Sequence, residues 1–254
     1  MKFTFLGTGT SQGIPVIACD CEVCQSPDPK DKRTRTAGMV EMDGKFVVID
    51  TGPDFRAQML REKVKRMDGV VFTHPHKDHI AGMDDIRSFN FRQRRDMDVY
   101  ANELTLTALK REFYYVFEEI KYPGVPSVVV HEIEELVPFT VAGMEWLPIP
   151  VLHYRMPVFG YRIGDFAYIT DANHIPERSM EQLQGLKVLV LNALRKKKHL
   201  SHFTLEEAIE IVQILKPERA YFTHLSHLMG THAEVSKLLP PGIEIAYDGL
   251  TIEI

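Results

Sequence analysis

Phe3 and Phe5 alternate with polar residues and run into Gly7-Thr8-Gly9-Thr10, the pattern of a half-buried strand ending in a glycine turn. Apolar residues over 39–42 and 45–49 flank Asp43-Gly44, and a two-residue Asp-Gly between such runs predicts a tight hairpin. Pro53 opens a predicted helix over 53–65, because proline at the first turn gives up an N–H that would have no partner there. The run 69–72 is apolar and rich in β-branched residues, so it reads as a buried strand. Helices are predicted over 83–91 and 103–119. Tyr122-Pro123-Gly124-Val125-Pro126 breaks the second and returns the chain to a strand over 128–131.

The second half changes rhythm. Short apolar stretches punctuated by glycine and proline over 136–170 predict an antiparallel sheet, followed by a short helix over 176–183 and an apolar strand over 187–191. Thr204 and Glu207 form a capping box ahead of Ala208, Ile209, Ile211, Val212 and Leu215, and Pro217 ends that helix. Strands over 219–223, 243–246 and 251–254 and a helix over 234–238 complete the pattern. Hairpins in both halves, with helices between the later strands, fit an α/β chain of two sheets packed face to face under helices. Its 254 residues, 44% hydrophobic and without repeat or linker, are expected to form one domain over 1–254.

A net charge of −5 and a pI near 6.1 argue against a general nucleic-acid coat, which needs a basic surface. No apolar run approaches 18 residues and the first residues enter a strand directly, so the expectation is a cytoplasmic protein with no membrane partner. The Gly-Thr-Gly turn has neither the G-x-G-x-x-G nor the P-loop spacing, and nucleotide binding is not expected of it.

The chemistry concentrates in Thr73-His74-Pro75-His76-Lys77-Asp78-His79. Three imidazoles and a carboxylate follow a buried strand within six residues, and a strand-end loop is where a rigid scaffold carries ligands. In this H-x-H-x-D-H spacing the first two histidines can point one way and Asp78 and His79 another, which serves two adjacent metals. The motif resembles that of the metallo-β-lactamase superfamily. Asp50-Thr51-Gly52, after the apolar run 46–49, is similar to the superfamily's Asp-x-Gly loop, whose carboxylate braces the histidine loop. His153, Asp171 and His224 each end an apolar run in the expected order, so the resemblance spans the chain and implies the αβ/βα four-layer sandwich.

That resemblance implies a ligand set. His74, His76 and His153 would hold one divalent ion, Asp78, His79 and His224 a second, and Asp171 would bridge them. Two such ions about 3.5–4 Å apart lower the pKa of a shared water and clamp phosphoryl oxygens. The ligands suit zinc, manganese or iron, and the resemblance favours manganese or zinc.

Cys19, Cys21 and Cys24 are the only cysteines, an odd number within six residues, and point to a metal or free thiols rather than disulfides. Three thiolates and one nitrogen make a closed zinc set, whose fourth ligand must come from elsewhere. The cluster resembles the structural zinc site of phosphoribosyl 1,2-cyclic phosphate phosphodiesterases of the carbon–phosphorus lyase pathway, and this implies His227 as that ligand. His202, just before the capped helix, matches that family's catalytic histidine. The adjoining run Arg195-Lys196-Lys197-Lys198 suits either a phosphate or a solvated face.

The expected activity is metal-dependent hydrolysis of a small cyclic phosphodiester, with Asp78 and His202 in the catalytic apparatus and room for a homodimer. Alternatives are a transfer-RNA 3′-processing endonuclease, a pyrroloquinoline quinone synthesis-type protein and a non-catalytic zinc-binding protein. Residues 87–139 offer no match to a substrate pocket.

Overall fold

The structure, a computed structural model, describes residues 1–120 and 122–254. Strands β1 (Lys2–Gly7), β2 (Ala37–Met42), β3 (Lys45–Ile49), β4 (Gly69–Val71), β5 (Met97–Ala101) and β6 (Val128–Glu132) build the first sheet. Strands β7 (Phe139–Val141), β8 (Met144–His153), β9 (Met156–Ile163), β10 (Phe166–Ile169), β11 (Val188–Asn192), β12 (Arg219–Thr223) and β13 (Ile243–Ile245) build the second. The last strand, β14 (Thr251–Glu253), returns to pair antiparallel with β1. The orders are β14-β1-β2-β3-β4-β5-β6 and β13-β12-β11-β10-β9-β8-β7. Each sheet mixes hairpins with a parallel half, β3 to β6 in the first and β10 to β13 in the second.

Three cores explain the layering. Phe3, Phe5, Val47 and Val71 meet Trp146, Tyr161, Phe166 and Val190 between the sheets. Beneath the first sheet, Met39, Val48, Val70 and Val99 pack against α2 (Phe55–Arg61), α4 (Arg87–Gln93) and α5 (Glu103–Glu112). Outside the second, Leu189, Leu191 and Phe222 pack against α8 (Leu205–Leu215), whose Ala208, Val212 and Leu215 turn inward. The result is helix, sheet, sheet, helix, the four-layer α/β sandwich. Among the described residues no helix is long and apolar enough to cross a membrane.

Asp43 and Gly44 join β2 to β3 with φ of 51° and 70°, a turn suited to Asp-Gly. The antiparallel run over 136–170 is present as β7 to β10, and Thr204 with Glu207 caps α8 reciprocally. Helices of the first half are shorter than the pattern predicts. The stretch 103–119 divides at Phe113, where weak helix formers Phe-Tyr-Tyr-Val-Phe follow and Phe113 and Val116 turn into the core; only Tyr114–Phe117 regains a helical turn, α6. Lys63, at φ 54°, stops α2 early and lets Val64 fold back onto the core. The helix expected over 83–91 begins as a 3-10 turn, Met83–Ile86, before α4.

A candidate dinuclear metal centre

The parallel strands of both sheets point their carboxyl ends to one edge of the sandwich, the position where open α/β sheets carry ligands. Asp50 follows β3, the 73–79 loop follows β4, Asp171 follows β10 and His224 follows β12, while His153 ends β8. Asp50, Asp171 and His224 have φ of 65°, 57° and 58°. Non-glycine residues seldom adopt that conformation, and here it turns each side chain sharply into the cleft as its strand ends.

Asp50 is fully buried and accepts three hydrogen bonds: from the Thr73 N–H (2.8 Å), the Thr73 hydroxyl (2.7 Å) and His79 Nδ1–H (2.7 Å). Thr73 Oγ1 in turn lies 3.0 Å from His74 Nδ1, and His153 Nδ1 donates to the Ser201 carbonyl at 2.9 Å. Three histidines are thus gripped by Nδ1, which leaves Nε2 as the ligating nitrogen, the usual way a metal-binding imidazole is oriented. Gly52 is required beside them, since a Cβ there would overlap the Asp78 carbonyl oxygen. The second sheet also holds the loop: Tyr161 donates to the Phe72 carbonyl (2.5 Å) and the Phe159 N–H to the Thr73 carbonyl (3.1 Å).

Two groups of ligand atoms result, His74, His76, His153 and Asp171, and Asp78, His79, Asp171 and His224, each gathered within 4.8 Å. Asp171 belongs to both. Its Oδ2 faces His74 Nε2 (3.7 Å), and its Oδ1 faces His79 Nε2 (3.5 Å) and His224 Nε2 (3.2 Å). Burial alone would raise the carboxyl pKa of Asp171, but His224 and His79 hold it well below the usual carboxylate range. Asp78 is likewise lowered: burial opposes this, and His79 and His224 overcome it. His79 moves the other way, its burial outweighed by Asp171, Asp78 and Asp50, which raise it well above an ordinary imidazole. Burial, then His79, lowers His74.

The donor set fits divalent cations. His79 Nε2 and His224 Nε2 are buried without a hydrogen-bond partner, and each unmet group of this kind costs about 1–3 kcal/mol. His74 Nε2 and His76 Nδ1 face each other at 3.1 Å, a pairing that a cation between them would satisfy for both lone pairs.

A second cluster lies on the neighbouring loop. Cys19, Cys21 and Cys24 place their sulfurs 3.3, 3.3 and 3.6 Å from His227 Nδ1. The Cys24 backbone N–H, donating to the Cys21 sulfur, leads in lowering Cys21 to about 6, whereas burial pushes Cys24 up to about 11. Only Ile14, Val23 and Cys24 are fully buried beneath this loop, too little apolar surface to fix it alone. Three sulfurs and a nitrogen converging there fit a closed structural zinc site.

His202 is buried beside both ligand groups, its ring 4.6 Å from His153, 4.7 Å from His224 and stacked on His199. Its Nδ1 has no protein partner. Burial, and then His224, pushes its pKa down to about 2, so the resting imidazole is neutral. Half of the basic run beside it is occupied, Arg195 with the carbonyls of Lys197 and Lys198 and Lys198 with Glu207. Arg92 and Arg95 bind the Lys65 and Met67 carbonyls, away from the cleft. Gly7 and Gly9 serve packing: a Cβ at Gly7 would overlap the Arg35 carbonyl, and the turn pairs with the loop after His224 through Leu225. Asn192 escapes sequence reasoning, yet its amide holds both the N–H and the carbonyl of Ala172 (2.7 and 2.9 Å), fixing the Asp171 loop. The available signal was one amide closing an otherwise apolar strand.

Residues 45–225 match the beta-lactamase superfamily domain, and the chain belongs to that superfamily. Within it the chain is of the PhnP family: the crystal structure of a PhnP-family diphosphatase superimposes with a TM-score of 0.93 at 44% identity, over 100% of this chain and 97% of that one. Zn(2+)-bound PqqB from Methylobacterium extorquens shares the fold, with a TM-score of 0.82 at 18% identity and full coverage of both chains. A Porphyromonas gingivalis protein named octanoyltransferase is 41% identical over 253 residues, 98% of this chain but 51% of its own length. The chain therefore spans about half of that curated relative. Site and relatives together place the domain among metal-dependent hydrolases.

Proposed function

We propose that the domain hydrolyses a small phosphodiester, with a cyclic sugar phosphodiester of the phosphoribosyl 1,2-cyclic phosphate type as the first candidate. The observation that carries this reading is Asp171, which turns one carboxylate oxygen to each of two ligand groups. Divalent zinc or manganese ions held by His74, His76 and His153 and by Asp78, His79 and His224 would supply a water of lowered pKa and charge to clamp phosphoryl oxygens. The protein's own part is positional. Asp50, Thr73 and Ser201 fix the imidazoles, and Asp78 and Asp171 stay ionised beside them.

Hydrolysis adds water at phosphorus, breaks one phosphorus–oxygen ester bond and leaves an alkoxide that needs a proton. We assign that proton to His202, a reading supported by its ring lying beside His153 and His224. Burial keeps it neutral at rest, so two roles must be separated: proton delivery, or a hydrogen bond to a phosphoryl oxygen. His202→Ala, with metal content checked, separates them. A proton donor is worth about 10²–10⁴-fold on a sugar alkoxide and little on a nitrophenolate leaving group. Equal slowing on both would assign only the hydrogen bond, and undiminished activity on both would remove His202 from the reaction.

The substrate itself is tested with metal-reconstituted protein on cyclic phosphodiesters, linear nucleotide diesters, a diphosphodiester and a precursor transfer RNA. Exclusive cleavage of the transfer RNA would replace the proposal, although Arg195 and Lys198 of the 195–198 run already have partners. An acyl-transfer reading, suggested by the name of the Porphyromonas relative, draws no support from three thiols that converge on His227.

A further inference from the structure

Strand β11 is apolar up to its last residue, Asn192, which is fully buried. The parallel ladder with β10 stops at Ile169 opposite Leu191, and the chain then turns at Asp171. Asp171 needs an external hold there, since its φ of 57° is sparsely populated by non-glycine residues. The Asn192 side chain carries the ladder one step further: Oδ1 accepts the Ala172 N–H at 2.7 Å, and the Nδ2 amide donates to the Ala172 carbonyl at 2.9 Å. Ala172 has no exposure, so without that amide its N–H would be buried and unpaired.

Ala172 also reaches the His202 segment. Its carbonyl accepts a second hydrogen bond, from the Phe203 N–H at 2.8 Å, and the Phe203 carbonyl accepts the Leu194 N–H at 2.9 Å, two residues beyond Asn192. On the other side of His202, the Ser201 carbonyl accepts His153 Nδ1–H. The His202 ring supplies no such anchor through Nδ1, which has no protein partner. The backbone at His202 is therefore fixed by the two residues that flank it, one bonded to a candidate ligand and the other to the neighbour of Asp171.

We propose that Asn192 is a positioning residue for the hydrolysis: by holding Ala172 at both its N–H and its carbonyl, it keeps Asp171 and His202 in register across the centre. This rests on the phosphodiesterase reading above and adds to it a residue buried behind the ligands. One amide thus acts on both halves of that chemistry, the carboxylate shared by the two ligand groups and the histidine assigned the proton.

The test compares wild type with Asn192→Ala, Asn192→Val and Leu189→Ala, each metal-reconstituted. Asn192→Ala removes both bonds. Asn192→Val removes them with a strand former of nearly the same size, and serves if the smaller side chain fails to fold. Leu189→Ala opens a cavity in the same strand and leaves the Ala172 contacts intact. Amide exchange resolved by mass spectrometry reads the clamp without turnover: the Asn192 variants should lose protection at Ala172 and Phe203, and Leu189→Ala should keep it. Chelator competition should show both catalytic ions held about 10–100-fold more weakly in the Asn192 variants, with the thiolate zinc unchanged. A misplacement of about 1 Å costs on the order of 10²-fold, so kcat for the phosphodiester that wild type cleaves best in the panel above should fall by about 10–100-fold, with KM unchanged. Protection kept at both amides would overturn the proposal. So would stability lost with ion affinity and kcat at wild-type values, or Leu189→Ala reproducing the losses. Should wild type cleave no phosphodiester, that reading falls, and exchange at Phe203 together with ion affinity still decides whether Asn192 holds the centre.

Discussion

Replacing Asp50 by asparagine probes whether a carboxylate that touches no metal controls metal binding. Both Asp50 oxygens are engaged, Oδ1 by the Thr73 N–H and Oδ2 by the Thr73 hydroxyl and His79 Nδ1–H. An asparagine amide offers one oxygen and one NH₂, so either orientation sets a donor against a donor in a site with no exposure. With the NH₂ at the Oδ2 position, His79 loses its acceptor and the ring loses the grip that aims Nε2 at Asp78 and Asp171. Loss of such an outer partner weakens metal affinity about 10–100-fold, or about 1.4–2.7 kcal/mol. The ion assigned to Asp78, His79 and His224 should weaken by that factor, while the thiolate-bound zinc stays in place. Chelator competition with element-resolved occupancy measures each. Thr73→Val is the milder companion: it removes the hydroxyl between Asp50 and His74 and should loosen the ion assigned to His74, His76 and His153 instead. Wild-type affinity for both ions in folded Asp50→Asn protein would refute the reasoning.

Other perturbations address packing, zinc and charge. Gly52→Ala forces a methyl into the Asp78 carbonyl and should cost about 1–3 kcal/mol in urea unfolding together with metal occupancy; wild-type stability would show that the loops yield freely. Cys21→Ser should release one tightly held zinc and lower the melting temperature while the catalytic ions remain. Rapid reaction of all three thiols in metal-loaded protein would dismiss them as ligands. Asp68 receives the Arg66 and Arg95 guanidiniums and the Phe46 N–H. Its burial would raise its pKa, but those partners lower it, so its contribution is present above the unfolded aspartate value of about 3.9 and is lost as pH falls through the lower folded value. Asp68→Asn should thus be less stable than wild type near neutrality and indistinguishable from it in strong acid; a gap unchanged with pH would show that shape, not charge, matters there.

What the sequence displayed and what it hid divide along physical lines. The 73–79 loop was legible because its ligands lie within six residues after a buried strand, and the capped helix α8 because Thr204 and Glu207 act locally. His153, Asp171 and His224 carry no local pattern. Each is one polar residue after an apolar run, and only the meeting of strand ends from two sheets, parallel β10 and β12 and antiparallel β8 among them, brings them to the 73–79 loop. Asn192 was silent because its role lies in a contact with Ala172, 20 residues distant in sequence; Gly52 was legible within the Asp-x-Gly loop, but its close approach to Asp78, 26 residues on, was not. Helix ends in the first half were misjudged where tertiary packing overrides local preference, as when Phe113 leaves the helix to enter the core.

Tyr154 shows the same limit from the opposite side. His153 beside it is marked by its place after an apolar run, but a tyrosine at a hairpin tip carries no motif. Its meaning comes from three facts that only coordinates join: a positive φ, an Asn173 amide that maintains it, and a ring left partly in solvent beside two candidate ligands. Candidate ligands therefore come from both kinds of strand end: Asp171 and His224 follow parallel strands, and His153 ends an antiparallel hairpin beside Tyr154. The Asp50, Thr73 and His79 network braces the 73–79 loop from the first sheet, whereas His153 is held from the second through its Nδ1 bond to the Ser201 carbonyl, so the two halves of the centre are oriented by separate partners.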